Sequence, residues 1–434
     1  MFNNSNENLN KKQTNNINDE SALTNMDLGN LEYTSGNLNY FNILKLINDG
    51  TFNCKLKNKE ILSKNKKELA IYYKDEGNKF FFRKEYEIAN LYFSKAIEND
   101  NTEKFFYSNR AACQLGLGNY KLALNDALKC IELDPNYAKG YFRAALAYYE
   151  MNKIDEAIKL VEIYQNMTNS NSEDISYLLQ NIQEKKKIQE SLKIKFPSYE
   201  NYLSLCNWLI DKGSHFSKLD IQFYSDNHRG VVAKHKIYKD EIILKIPKDL
   251  LISIELAKST EIGSKIANFM YAELNSPKHS LLSSYILNEL NNPNTKWKSY
   301  LEILPKDFSS FPIFYTDEEF AALEGSSFLQ QILEKKEDMK RDYNKICNHI
   351  PEFSKFDYKK FCEIRMVVSS RIFGVKIECK KTDVLAPFAD LLNHKRPRST
   401  HWYYDEMHKA FFIQSLEDIP VGEEVKFIIL LNQF

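Results

Sequence analysis

The sequence predicts an α+β chain of several domains: an all-α solenoid, then a β fold split by a helical insertion. Three observations carry this. Small residues recur at a fixed interval of 34 between residues 66 and 168. Residues 198–255 and the stretch Val384–Val425 turn to β-branched and alternating runs bounded by Gly and Pro. Between them, residues 256–360 are more polar and show helical spacing.

Composition sets the frame. At 434 residues the chain has room for two or three domains, on a scale of roughly 100–200 residues each. Its 59 basic and 59 acidic residues cancel, which argues against a chain that coats nucleic acid or a membrane surface. Seven dispersed cysteines with no CxxC pair point away from a zinc site or a disulfide framework. No apolar run approaches the roughly 20 residues of a membrane span, and the start does not read as a signal peptide. The expectation is a reduced, soluble protein of the cytoplasm or nucleus. Residues 1–65 are dominated by Asn with few large apolar side chains, so this tail is expected to be disordered. A short apolar patch at Tyr40–Ile47 is expected to be at most a transient helix.

The solenoid follows. Gly77, Ala111 and Ala145 stand 34 residues apart, as do Ala89, Ala123 and Ala157. Phe93 with Ala127, and Ala96 with Cys130, repeat at the same interval, and Asn101 and Pro135 mark turns. This period is that of tetratricopeptide repeats, in which small residues let paired helices approach closely. Three repeats are expected over 66–168. Glu173–Ser191, within a capping and linker segment 169–197, reads as a helix that closes the array, and Pro197 ends it.

Five polar residues fall on the first helices of these repeats: Lys74, Asn78, Asn109, Lys139 and Arg143. First helices line the concave face, so two lysines, an arginine and two amides would share one groove suited to a carboxylate-rich peptide. The runs KDEGN, SNRAA and AKGYFRAA resemble the carboxylate clamp of co-chaperones that bind Hsp70 and Hsp90. That resemblance implies an acidic C-terminal chaperone tail as partner. The bland alternative is a set of solvated side chains.

Residues 198–255 read as the first part of the second domain. The piece Asp226–Pro247 holds a polar turn, a β-branched run after Gly230, a turn at Lys239–Asp240 and a second run, which reads as a strand pair. Residues 256–360 form the helical insertion. There Trp297, Tyr300, Leu301 and Leu304 have the spacing of a core-facing helix, and Thr316 with Glu318 and Glu319 reads as an N-cap with an acidic first turn. Residues 357–375 read as a further helix. Its apolar face is Phe361, Ile364, Val367 and Val368, and it carries Arg371 and a competing, surface-like Arg365. Residues 361–434 complete the domain.

The organising stretch is VLAPFADLLNHKRPRSTHWYYDEMHKAFFIQSLEDIPVGEEV. An apolar run delivers Asp390, Asn393 and His394; an alternating strand Ala410–Ser415 follows, then a turn at Pro420–Gly422 and two carboxylates. An Asn-His pair followed by a GEEV turn resembles the cofactor-binding heart of SET-domain methyltransferases, in the branch of Rubisco large-subunit methyltransferase and its actin-histidine-methylating relatives. That resemblance spans about 198–426. It implies S-adenosylmethionine as cofactor and no metal. It places Asn227, His228, Arg229, Arg371, Asp390, Asn393 and His394 at cofactor-contacting positions, with Arg371 opposite the cofactor's carboxylate.

The implied function is methyl transfer to a protein lysine, or to histidine, with the repeats recruiting a chaperone tail or a client. The family's acceptor channel carries a tyrosine just after the GEEV strand. This sequence has Ile429 there, so no catalytic residue is assigned, and the domain reads as C-terminally truncated. The alternative is a catalytically inactive chaperone-binding adaptor.

Overall fold

The computed structural model describes residues 65–168, 173–225, 228–394 and 398–427. The Asn-rich tail, Asn227 and Ile429 therefore lie outside the described residues.

Six helices form three antiparallel pairs, one per repeat: α1 (Lys66–Phe82) with α2 (Tyr86–Asn99), α3 (Lys104–Gly116) with α4 (Tyr120–Leu133), and α5 (Ala138–Glu150) with α6 (Ile154–Thr168). The small residues of the repeat are where the helices meet. Ala89, Ala111, Ala123, Ala145 and Ala157 are all fully buried. A Cβ on Gly77 would come within 2.9 Å of the Phe93 ring, whereas the corresponding pair in the second repeat is Ala111 and Ala127. The large ring in the first repeat is thus matched by the absent side chain across from it, as close packing requires.

The capping helix α7 runs Glu173–Lys195, four residues further than the sequence suggests. It buries Ile175, Leu178 and Ile182 against the last repeat and leaves a charged face outward. Helix α8 (Tyr199–Asp211) then leads into the second domain.

The two modules are joined by specific contacts. Gly118, in the turn after α3, has φ of +71°, and a Cβ there would meet the His215 ring at 2.4 Å. Its carbonyl lies 3.1 Å from His215 Nδ1. Lys153 pairs with Asp211 at 2.9 Å, and Lys234 with Glu150 at 3.6 Å.

The second domain is a set of small sheets around one core. Strand β1 (Leu219–Ser225) pairs antiparallel with β2 (His228–Ala233). Strand β3 (Ile242–Pro247) pairs instead with β9 (Ala410–Ser415), which also pairs with β8 (Thr400–Asp405). The two β-branched runs read as one strand pair therefore belong to different sheets. Each run takes its backbone partner from another part of the chain, Leu219–Ser225 for the first and Ala410–Ser415 for the second. Strand β4 (Ile252–Ser253), β6 (Lys380–Leu385) and β5 (Ile372–Ile377) make a third sheet. Two short strands, β7 (Asn393–His394) and β10 (Lys426–Phe427), run parallel.

The insertion is helical: α9 (Ile254–Lys258), α10 (Glu261–Phe269), α11 (Pro277–Leu290), α12 (Lys298–Leu301), α13 (Asp317–Ala321) and α14 (Ser327–His349). Thr316 and Glu319 form a reciprocal capping box at the start of α13. Helix α15 spans Tyr358–Arg371, after which Ile372–Ile377 is strand. The helix read over 357–375 thus stops earlier, where the alternating Ile-Phe-Gly-Val run takes up β pairing with β6. Phe361, Ile364, Val367 and Val368 are buried, as their spacing predicts.

Candidate functional site

The site is built where β7 and β10 run side by side beneath the β1–β2 hairpin. A short helical turn, Ala389–Leu391, precedes β7 and is introduced by Phe388, a non-glycine residue at φ of +76°. Such backbone is sparsely populated and is held by its surroundings. Here the Phe388 ring stacks on Phe216 at 4.2 Å.

This turn delivers Asp390 to the interior. Its Oδ2 accepts from Arg371 Nη1 at 3.0 Å and from the Tyr300 hydroxyl at 2.8 Å. The Asp390 carboxylate is fully shielded, and its Oδ1 is buried without a hydrogen-bond partner. Burial alone would lower the Arg371 guanidinium's pKa, but the facing charge of Asp390, with Tyr300 and the hydrogen bond adding to it, holds it above its ordinary value. Burial first, and then the Asp390 charge, drives the Tyr300 hydroxyl well up, so it stays a donor.

Asn393 closes the other side. Its amide Nδ2 donates to the Arg229 carbonyl at 2.9 Å and to Glu424 Oε1 at 2.6 Å. Glu424 thereby sits beside Gly230, where a Cβ would meet its Oε1 at 2.4 Å. Arg229 reaches back through Nη1 to the Leu391 carbonyl at 2.9 Å and lies 5.2 Å from the Tyr202 ring, with its Nε buried and unpartnered. His394 packs on Phe427 at 4.8 Å, and burial lowers its pKa below the usual histidine range, which favours the neutral ring.

Of the positions expected from sequence, the structure brings Arg229, Arg371, Asp390, Asn393 and His394 into this one region. Asn227 is outside the described residues. His228 sits at the hairpin edge, exposed, its ring 5.0 Å from Tyr224. Arg365 corrects the surface expectation: it is 2% exposed, and its Nη1 donates to the Ser276 carbonyl and to Ser280 Oγ. It pins α11 to α15, and burial pulls its guanidinium down to about 10.

Tyr300 is buried with Trp297, Leu301 and Leu304, as its helical spacing predicts. That spacing carries no sign that its hydroxyl reaches Asp390, a contact made between residues 90 apart. Glu424 belongs to the GEEV turn noted in the sequence, but its bond to Asn393 depends on the parallel β7–β10 pairing.

In the repeats, Asn109 Nδ2 donates to Asn78 Oδ1 at 3.1 Å, so α1 and α3 do present these amides together. Arg143 donates to Ser108 Oγ on α3, and burial lowers its pKa. Lys74 pairs with its neighbour Asp75 at 2.7 Å, and Lys139 is exposed.

Comparison with known proteins matches both halves. The SET domain family matches residues 228–427, and a tetratricopeptide repeat family matches residues 127–159. The chain is 24% identical over 256 residues to an actin-histidine N-methyltransferase of Gallus gallus, covering 55% of this chain and 42% of that protein. It is 41% identical over 92 residues to Hsp70-Hsp90 organizing protein 3 of Arabidopsis thaliana, covering 21% of this chain and 16% of that protein. The chain thus spans less than half the length of these relatives. A solved SET domain of LSMT bound to lysine and AdoHcy aligns at 24% identity and a TM-score of 0.47, covering 54% of each chain. The chain therefore carries tetratricopeptide repeats followed by a SET domain, the latter similar in sequence to that actin-histidine N-methyltransferase.

Proposed function

We propose that this chain is an S-adenosylmethionine-dependent protein N-methyltransferase whose repeats recruit a protein partner through an acidic C-terminal tail. The observation that carries the reading is the Arg371–Asp390–Tyr300 cluster set beside the Asn393 loop, with one acceptor (Asp390 Oδ1) and one donor (Arg229 Nε) buried and unpartnered. Buried polar groups are nearly always paired, so an unpaired acceptor and donor in one region fit a zwitterionic ligand such as the methionine end of that cofactor.

When bound, the cofactor supplies a methyl group on a sulfonium for transfer to a nitrogen. The chain's own residues would hold and shape. Arg229 and Asp390 would meet the polar end, Asn393 fixes the hairpin by tying Arg229 to Glu424, and His394 with Phe427 gives a neutral, largely apolar wall. An acceptor amine or imidazole must arrive uncharged, and exclusion of water favours that form. Lysine is the leading acceptor. The likeness to an actin-histidine N-methyltransferase keeps histidine as the other.

In the repeats, Arg143 offers a half-buried guanidinium, and Lys139 an exposed ammonium on the same helix. With the paired amides of Asn78 and Asn109, they make a seat for a terminal carboxylate. The similarity to an Hsp70-Hsp90 organizing protein supports a chaperone tail as that ligand.

One sequence feature favours a second reading. Ile429 stands where the resemblance expects a tyrosine, and an isoleucine cannot hydrogen-bond an acceptor nitrogen. The chain would then be a chaperone-binding adaptor that holds cofactor without turnover. Tritiated S-adenosylmethionine incubated with the chain and a cell extract separates the two. Label entering protein, and lost in Asn393→Ala, supports the enzyme; label no higher than in that variant rejects it and leaves the adaptor.

A further inference from the structure

We propose that the cleft between the repeat array and the SET domain is a binding site for a small organic carboxylate carried on an apolar body. The cleft holds about 600 Å³, within the range of small-molecule pockets; it shares Tyr202 and Phe388 with the surroundings of the candidate site, while Arg229, Arg371, Asp390, Asn393 and His394 do not line it. Its walls come from both modules. Helix α4 contributes Tyr120 and helix α5 contributes Tyr149, helix α8 contributes Tyr199 and Tyr202, and Phe216 with Phe388 forms the floor. Aromatic walls of this kind bury an apolar body well.

The charge in the cleft is what selects an anion. The Lys185 ammonium, on the capping helix, donates to the Tyr149 carbonyl at 3.0 Å and lies 4.6 Å from the Tyr149 ring. Of the acids whose charge it feels, Glu150 is already paired with Lys234, and Asp220 is exposed at the rim. Among the described residues, Lys185 forms no ion pair with a carboxylate. Burial drives its pKa down to about 8, and a bound anion would raise it again by favouring the charged form. A second polar group points the same way: Ser214 also lines the cleft, is 7% exposed, and its Oγ is buried with no partner. A lysine with no carboxylate partner and a hydroxyl with no hydrogen-bond partner, both lining a cleft with aromatic walls, suit a carboxylate with an aromatic or aliphatic tail.

The probes are 4-phenylbutyrate and its neutral amide, each titrated calorimetrically into the full chain. The carboxylate is expected to bind at one site at least about tenfold more tightly than the amide, as a charge-assisted hydrogen bond implies. Lys185→Gln should erase that preference. Leu203→Trp, which fills the cleft without touching the charge, should weaken both probes. Lys139→Glu/Arg143→Glu, which removes the repeat-groove cations, should change neither. Equal binding of the two probes, binding of neither, a preference that survives Lys185→Gln, or one lost only in the groove variant would overturn the assignment.

Discussion

Asn393 and Glu424 are joined by a 2.6 Å hydrogen bond that ties the Asn-His strand to the GEEV turn. The two are 31 residues apart in sequence, and the parallel pairing of β7 with β10 brings them together. Because Asn393 also holds the Arg229 carbonyl, this single amide fixes the hairpin, the turn and the short strand as one unit.

Gly230 is where that unit is tightest. Gly230→Ala would place a methyl 2.4 Å from Glu424 Oε1, forcing the carboxylate away from Asn393. Overpacking of this kind costs roughly 1–3 kcal/mol. Combining it with Glu424→Ala, which clears the space, should cost less than the sum of the two single variants, a coupling read by urea denaturation. Strict additivity would show that the contact does not constrain the turn.

The Arg371–Asp390 pair should be costly to split. Asp390→Asn leaves a buried guanidinium without its countercharge, which typically destabilises by about 3–5 kcal/mol. Tyr300→Phe removes only a neutral donor, for which roughly 1–3 kcal/mol is expected. Chemical denaturation should therefore rank the two variants in that order; the reverse order would show that the pair is not the stabilising element of the site.

The repeat groove predicts a binding result. Lys139→Glu/Arg143→Glu should weaken an acidic Hsp90 C-terminal peptide at least about tenfold, since charge-assisted carboxylate contacts are among the stronger ones. Fluorescence anisotropy with a labelled peptide measures this. Unchanged affinity would sink the clamp.

His279 gives a pH dependence. Burial, the largest cause, and the nearby charge of Arg365 lower its pKa to about 4 in the folded chain, against 6.5 when free. Between those values the unfolded chain binds the extra proton, so stability is fully present above 6.5 and falls as pH drops toward 4. At about 1.4 kcal/mol per pH unit, the loss is bounded at about 3.5 kcal/mol. Melting temperatures of the native chain and His279→Gln across that window should converge as pH falls; parallel curves would contradict the assignment.

The repeats were legible because their determinants are local and periodic. A buried Ala at 89, 123 and 157 reads directly as helix pairing. The Asn-His loop was legible as a motif, since Asp390, Asn393 and His394 lie within five residues. The strand pairing was not. β3 joins β9 across some 170 residues, and nothing in Ile242–Pro247 names that partner. Tyr300 was readable as core but not as a partner of Asp390. The same periodicity serves either role, and only the fold decides where the hydroxyl points. Arg365 misled for a similar reason: an arginine on an amphipathic helix is usually solvated, and this one is held by Ser276 and Ser280 from a distant helix.

The most direct test of the SET reading is calorimetric titration of S-adenosylmethionine into the full chain and into Asn393→Ala, with thermal melts confirming that both are folded. Saturable one-site binding by the native chain, weakened at least about tenfold in the variant, is the expected result, since Asn393 fixes the three elements of the site. Absence of binding to the native chain, or undiminished binding to folded Asn393→Ala, would contradict it.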